Sequence, residues 1–295
     1  MERTKLNIDI AGSIIELESI LREFRLKKEI YELFFRGKGL EFDGYRDFAP
    51  DDDATRIDWK ASMRAQKTLV KRYVEERDLR IMFLIDVGEN MIFGSTEKIK
   101  CEFITELVAA FAKVLLNTND RIGFILFGNR VNHFVDCKAG EKQFEIFIET
   151  LSDSKNYGGI TNLDHVLDFS MDYLDKSVSA IVLISDFLRI TSETEKKLSI
   201  LAHKFETIAI RVRDPLDFTL PEIEGEIVLE DSETHQQVII NPNVARKTYE
   251  KNAMEQSKIV ENIFKNVELD NLDLFTDESF APSLAEFLKE RVGRI

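Results

Sequence analysis

Two aspartates stand at the ends of apolar runs that are typical of buried strands. Asp86 directly follows the run 81–85, and Asp186 comes after the run 180–184 with Ser185 between them. Ligands of open parallel sheets bind beyond the carboxyl ends of the strands, near the switch in strand order, so we expect both carboxylates at one site. Two carboxylates there are costly unless they are paired or bound to a cation.

Two further side chains can add oxygen atoms to this site. Asn90 offers an amide carbonyl, and Thr161, after a double glycine, offers a hydroxyl while capping its helix. With Asp86 and Asp186 they make an all-oxygen set, which suits a hard cation such as Mg²⁺ or Mn²⁺. The alternative is that the aspartates only accept backbone N–H bonds in their loops.

Common catalytic motifs are missing from the sequence. It holds no Walker A loop, no His-Glu-x-x-His pair and no Gly-x-Ser-x-Gly elbow, and its four histidines are scattered. The stretch 37–42 starts like a dinucleotide-binding loop but has Phe42 at the sixth position and no apolar strand before it. Nothing here marks a hydrolase nucleophile.

From residue 80 onward, apolar strands alternate with amphipathic helices, which predicts a mostly parallel sheet covered on both faces. Before that point, residues 14–35 carry apolar side chains at helical spacing, and 37–64 are rich in turn formers and aromatics. We therefore predict three parts. They are an N-terminal helical segment (1–36), a segment with short strands (37–78) and an α/β domain (79–295) with a β-hairpin near 219–241.

The charge is unevenly distributed. Residues 1–80 hold 17 basic and 17 acidic side chains and the remainder 23 and 37, so all of the net charge of −14 lies after residue 80. This balance argues against a nucleic-acid or membrane-surface binder, because polyanions would repel the chain. The basic stretch within 60–80 is a solvated face or a docking strip for an acidic partner or for the chain's own acidic part. It comprises Lys60, Arg64, Lys67, Lys71, Arg72, Arg77 and Arg80.

The two cysteines, Cys101 and Cys137, are too few for a disulfide framework, and Cys101 falls in an apolar helical pattern. No run of residues approaches the roughly 18–20 apolar residues of a membrane span. We therefore expect a cytoplasmic protein.

The spacing of the site residues resembles the metal-ion-dependent adhesion site of von Willebrand factor A domains. That site reads Asp-x-Ser-x-Ser after the first strand, with a distant Thr and a later Asp. This chain keeps Asp86, Thr161 and Asp186 but has Gly88 and Asn90 in place of the serines. The resemblance implies a Rossmann-like, three-layer α/β domain with a degenerate metal site, in which water takes the place of the hydroxyl missing at Gly88.

A second resemblance lies in the segment before this domain. It is similar to the signature of the domain-of-unknown-function 58 family, which precedes a von Willebrand A-like domain. The residues that carry it are Glu41, Arg46, Asp52, Asp53, Asp58, Trp59 and Arg64. Trp59, the single tryptophan, is expected to anchor the segment to the core. Asp58 and Arg64 are expected to pair with each other or to bond turns. The acidic run 51–53 reads as a solvated turn, with a second cation site as the alternative.

This family resemblance implies a non-enzymatic adaptor or co-chaperone of a MoxR-type AAA+ ATPase, a partner whose acidic side chain would complete the metal's coordination. The alternative is a metal-dependent phosphohydrolase that uses Asp86 as nucleophile or metal ligand. The usual second carboxylate of such enzymes, two residues further on, is replaced here by Gly88.

Overall fold

The computed structural model describes residues 6–23, 40–49, 57–75, 79–118, 120–230 and 236–293. The strands are β1 (Leu40–Asp47), β2 (Leu69–Glu75), β3 (Arg80–Asp86), β4 (Arg121–Phe127), β5 (Val131–Lys138), β6 (Ala180–Ser185), β7 (Glu206–Arg213), β8 (Ile227–Glu230), β9 (Gln237–Ile240) and β10 (Asp270–Phe275). The helices are α1 (Ile10–Glu23), α2 (Trp59–Ala65), α3 (Lys100–Asn117), α4 (Glu141–Ser152), α5 (Leu163–Tyr173), α6 (Ser192–Lys204), α7 (Pro242–Asn266) and α8 (Phe280–Gly293).

Six strands form a central sheet in the order β10-β7-β6-β3-β4-β5. All neighbouring pairs are parallel except β4 with β5, so the edge strand β5 runs the other way. The chain starts in the middle at β3, adds β4 and β5 on one side, and then crosses to β6, β7 and β10 on the other. The switch in strand order therefore lies between β3 and β6, and the α/β prediction is confirmed.

Both faces of this sheet are buried, which explains why its central strands are apolar without alternation. In β3, Ile81, Phe83 and Ile85 pack in one core with α1, α3, α4 and α8. Met82 and Leu84 point to the opposite face and pack with α5, α6 and α7. The carboxyl ends of the parallel strands β3, β4, β6, β7 and β10 lie along one edge of the sheet, which we call the carboxyl edge.

The N-terminal helix α1 packs on this domain. It begins at Ile10, four residues before the predicted start, and the part of the predicted helix at 24–35 lies outside the described residues. Leu17 and Leu21 are buried in the core beside α3 and α8. The apolar face of this helix is therefore covered by the chain itself.

The segment before β3 contains short strands, as predicted, and also a helix that was not predicted. β1 and β2 pair as an antiparallel ribbon, and α2, a helix that turn composition did not indicate, lies between them. Asp58 caps α2, because its carboxylate accepts hydrogen bonds from the N–H groups of Lys60 and Ala61. The prediction that Trp59 is a core anchor is wrong, since the side chain is 66% exposed. The buried residue of α2 is the polar Ser62, whose hydroxyl bonds to the backbone of β2. The large apolar area of Trp59 therefore did not indicate which residue of this helix is buried.

Other signature residues have local roles or cannot be placed. The guanidinium of Arg46 donates to the backbone carbonyl of Asp47. Asp58 bonds the first turn of helix α2, so its role is that of a helix cap. The side chain of Glu41 and the acidic run 51–53 lie outside what the structure describes.

A separate hairpin of β8 and β9 stands where the sequence predicted one. Within the described ranges, no helix is both long and apolar enough to cross a membrane. The division into three parts stays a prediction.

Candidate functional site

The four predicted site residues meet at the carboxyl edge, where β3 and β6 lie side by side. The Thr161 hydroxyl lies 2.8 Å from Asp86 Oδ1 and 3.0 Å from Asn90 Oδ1. The Asn90 amide nitrogen donates to Asp186 Oδ2 over 2.7 Å. We call Asp86, Asn90, Thr161 and Asp186 the oxygen cluster. Helix α5 is capped by Asn162 rather than Thr161, which leaves the Thr161 hydroxyl to the cluster.

Asp86 is enclosed. Besides the Thr161 hydroxyl, its Oδ1 accepts the N–H of Gly88 over 2.9 Å, and its Oδ2 accepts the hydroxyl of Ser185 over 2.7 Å. Burial, followed by repulsion from Asp186, raises the pKa of Asp86 to about 7. Ser185 was not predicted as a site residue, although its place at the end of an apolar strand signals such a role.

A lysine is the largest omission from the predicted site. Lys100, the first residue of α3, has 1% of its surface exposed and puts its Nζ 3.1 Å from Asp186 Oδ2 and 2.8 Å from Asp217 Oδ2. Burial opposes its charged form, but the attraction of Asp186 and Asp217 outweighs burial and raises the pKa of Lys100 above its ordinary value. A cation in the first turn opposes the helix dipole, and this unusual placement was the available signal.

The loop after β7 continues this buried charge network. Arg213 places Nε 3.6 Å from Asp217 Oδ2 and stacks its guanidinium on the ring of Phe218. Asp214 accepts hydrogen bonds from the N–H of Ser95 over 2.7 Å and from the hydroxyl of Thr276 over 3.1 Å. The network therefore joins β3, β6, β7 and the loops around them, and within it Arg213 Nε and Nη1 are buried without a hydrogen bond to any described residue.

The described arrangement does not fit a Mg²⁺ ion. A Cβ at Gly88 would lie 2.0 Å from Thr161 Oγ1 and 2.7 Å from Asn90 Oδ1, so these two side chains fill the place expected for a water. The oxygen cluster bonds to itself, and an ammonium group adjoins Asp186. An octahedral cation would have to break these bonds and approach a positive charge. Within the described ranges, no group of three or more His, Cys, Asp or Glu side chains is placed to hold a metal ion.

The loops that carry the oxygen cluster also expose apolar side chains. They are Ile92, Phe93, Ile160 and Leu188, each between 37% and 48% exposed, and we call them the apolar rim. Ile92 and Phe93 follow Asn90, Ile160 precedes Thr161, and Leu188 donates its N–H to Asp186 Oδ1 over 3.1 Å. Grouped apolar side chains at the surface are typical of sites where proteins bind.

Two of these loops are held together by a backbone hydrogen bond and a bond from a backbone N–H to a side chain. The N–H of Glu89 donates to the carbonyl of Gly159 over 2.7 Å, and the N–H of Gly159 donates to Glu89 Oε2 over 3.1 Å. Gly159 has a φ of +80°, a conformation that residues with a Cβ rarely adopt. The loop that carries Ile160 is therefore tied to the loop that carries Ile92 and Phe93.

The parallel sheet with its polar cluster at the switch point defines a Rossmann-like α/β domain. The chain belongs to the family described as "Protein of unknown function DUF58", which matches residues 44–259. That description names no activity.

Relatives include uncharacterized mycobacterial proteins. One from Mycobacterium tuberculosis is 24% identical over 260 residues, which cover 86% of this chain and 80% of that protein. One from Mycobacterium avium is 32% identical over 112 residues, or 37% of this chain and 64% of that protein.

The solved structures that are similar to this chain include the following two. The conserved hypothetical protein BatB from Bacteroides thetaiotaomicron shares 13% identity with a TM-score of 0.47, over 73% of this chain and 99% of that one. The SpRpn10 VWA domain shares 17% identity with a TM-score of 0.34, over 46% of this chain and 76% of that one.

Proposed function

We propose that this chain is a protein-interaction module that binds its partner at the carboxyl edge. The observation that carries the proposal is the apolar rim, whose four exposed side chains stand on the loops of the oxygen cluster. A protein interface typically has an apolar centre and a polar surround that supplies hydrogen bonds. Loops that are tied to one another also lower the entropy that binding costs.

The partner we propose is a MoxR-type AAA+ ATPase, with this chain as its adaptor or co-chaperone in the cytoplasm. The support for this partner is the resemblance of the signature segment to the family and the chain's membership in that family. The apolar rim supports protein binding of some kind, and the experiment below tests which partner uses it.

The proposed role includes no bond-breaking step. A nucleophilic carboxylate must reach its substrate, whereas Asp86 is fully buried and both of its oxygens accept internal hydrogen bonds. Ser185, Thr161 and the Gly88 N–H hold it in this position. These contacts favour a structural carboxylate over the phosphohydrolase alternative.

In place of the predicted Mg²⁺ or Mn²⁺, we propose an internal cation. We infer that the Lys100 ammonium supplies positive charge where a metal ion would otherwise balance Asp186. The midpoint of thermal unfolding of the purified chain is then expected to be equal in Mg²⁺, Mn²⁺ and EDTA. A midpoint that rises with either metal, and no longer does so in Asp186→Asn, would restore the metal prediction.

The partner is tested by recovering the tagged chain with ATP from the cells that produce it and identifying the bound proteins by mass spectrometry. An AAA+ ATPase is expected with the unaltered chain and is expected to be lost with Ile160→Asp and with Leu188→Asp. Ile200→Asp is the matched control, because Ile200 is similarly exposed but lies two turns into α6.

The results of this experiment test the identity of the partner and the position of its docking site separately. If no ATPase is recovered under any condition, the proposed partner is wrong. If the ATPase stays bound to both rim variants, the partner holds and the carboxyl edge is not its docking site.

A further inference from the structure

Helix α2 presents an exposed surface that the proposed function does not use. Trp59 and Met63 are 66% and 81% exposed and lie one helical turn apart on the same stripe. Lys60 and Arg64, also exposed, form the adjacent stripe. Aromatic residues, methionine and arginine are enriched at protein interfaces. We call these four residues the α2 face.

The α2 face is held in place from beneath. Asp58 Oδ1 accepts the N–H groups of Lys60 and Ala61 at 3.0 Å each, which fixes the start of the helix. The Ser62 hydroxyl donates to the Asp58 carbonyl over 2.7 Å and accepts the N–H of Leu69 over 2.8 Å. The exposed tryptophan is therefore part of an anchored surface, which makes it suited to docking at low entropic cost.

A cavity elsewhere in the chain has the opposite charge. It has a volume of about 530 Å³ and lies between α1, the loop before α3 and the loop between β10 and α8. Among the described residues, its charged lining comprises Asp9, Glu16, Glu97, Glu106, Asp277, Glu278 and one cation, Lys98. Phe103 and Phe280 add apolar surface. We call it the acidic cavity.

Three carboxylates of the acidic cavity are available to a partner. Glu106 is bound to the Ser13 hydroxyl and to Lys98. Glu97, Asp277 and Glu278 are exposed and form no ion pair with any residue that the structure describes. The cavity thus offers negative charge around an apolar floor, which complements the α2 face.

We propose that the α2 face of one copy docks into the acidic cavity of a second copy. Lys60 and Arg64 would meet the free carboxylates, and Trp59 and Met63 would enter the cavity above Phe103 and Phe280, of which 4% each is exposed. Within one chain the cavity is lined by no residue of α2, so the two surfaces can meet between copies. Because the two surfaces differ, the contact is heterologous and builds rings or open chains.

Other occupants of the α2 face are less compatible with the chain. An anionic membrane or a nucleic acid would be repelled by the net charge of −14. Two apolar side chains on a seven-residue helix also bury too little area for stable membrane binding. A second copy carries its complementary charge already in place.

The proposal is tested by sedimentation velocity of the full chain over a range of concentrations and at two salt concentrations. Association that increases with protein concentration and weakens with salt is expected. Trp59→Ala should lower the association constant roughly tenfold or more. Ile259→Ala, an exposed apolar residue of α7, is the matched control and should leave association unchanged.

Reversing the charge of each of the two surfaces in turn provides the decisive test. The variant Lys60→Glu/Arg64→Glu and the variant Glu97→Lys/Asp277→Lys should each be monomeric alone, because their own surfaces then repel. Their mixture should associate again, since every reversed surface meets a complementary one. This recovery also shows that both variants are folded.

Three results would overturn the proposal. The first is a chain that is monomeric at every concentration, and the second is self-association that is unaffected by either pair of charge reversals. The third is a mixture that stays monomeric although circular dichroism shows both variants folded. Binding of a monomeric chain to anionic vesicles through Trp59 would assign the α2 face to a membrane instead.

Discussion

The oxygen cluster and the α2 face use their notable residues in opposite ways. In the cluster, the carboxylates of Asp86 and Asp186 are buried, and the ammonium of Lys100 lies against Asp186. On α2, polar Asp58 and Ser62 hold the helix, while Trp59 and Met63 face water. Buried charge needs a partner inside the fold, whereas a fixed and exposed tryptophan indicates a partner outside it.

The largest effect is expected from Lys100→Met, which leaves Asp186 and Asp217 buried without their shared cation. Removing one member of a buried ion pair costs about 3–5 kcal/mol of the free energy of unfolding. Urea unfolding followed by far-ultraviolet circular dichroism measures this loss. Lys113→Met, on the same helix but paired with the exposed Glu141, should cost less than about 1 kcal/mol. Equal losses in the two variants would contradict the internal-cation role of Lys100.

A smaller effect is expected from Gly88→Ala, because the new methyl group would lie 2.0 Å from the Thr161 hydroxyl. Overpacking of this kind costs about 1–3 kcal/mol. Gly128→Ala is the control, since its Cβ would have no neighbour closer than 3.5 Å. If both variants unfold at the same urea concentration, the cluster is looser than its hydrogen bonds indicate.

Asp58→Ala should loosen α2 without affecting the oxygen cluster, because the lost cap belongs to that helix alone. The expected result is faster hydrogen exchange at the backbone amides of residues 60–65, measured by mass spectrometry, and weaker self-association. Asp58→Asn keeps an oxygen acceptor at the cap and should retain most of both. An exchange rate unchanged in Asp58→Ala would mean that α2 is held by other contacts.

The smallest effect on stability is expected from Trp59→Ala, within about 0.5 kcal/mol, because surface substitutions rarely do more. As the single tryptophan, Trp59 also reports its own surroundings. In dilute solution, acrylamide should quench its fluorescence freely, and quenching should fall as protein concentration rises. Strong destabilisation by Trp59→Ala would instead support the original expectation of a core anchor.

Elements with a strong apolar period could be predicted well. The central strands β3 and β6 fall at the apolar runs 81–85 and 180–184, because burial on both faces of a sheet leaves a continuous apolar pattern. α2 could not be predicted in this way, since only Ser62 of its residues is buried and the helix is held mainly by hydrogen bonds of Asp58 and Ser62.

The sequence alone placed Asp86 and Asp186 at one edge of the sheet, because the carboxyl ends of parallel strands lie at the same edge. Only the tertiary structure decided how these residues are used. Lys100 lies 86 residues from Asp186 in sequence, and no local pattern states that its ammonium ends beside that carboxylate. The position of a residue at the end of a strand determines the edge of the sheet at which it lies. The packing of helices and loops on the sheet determines which charged side chain lies next to it.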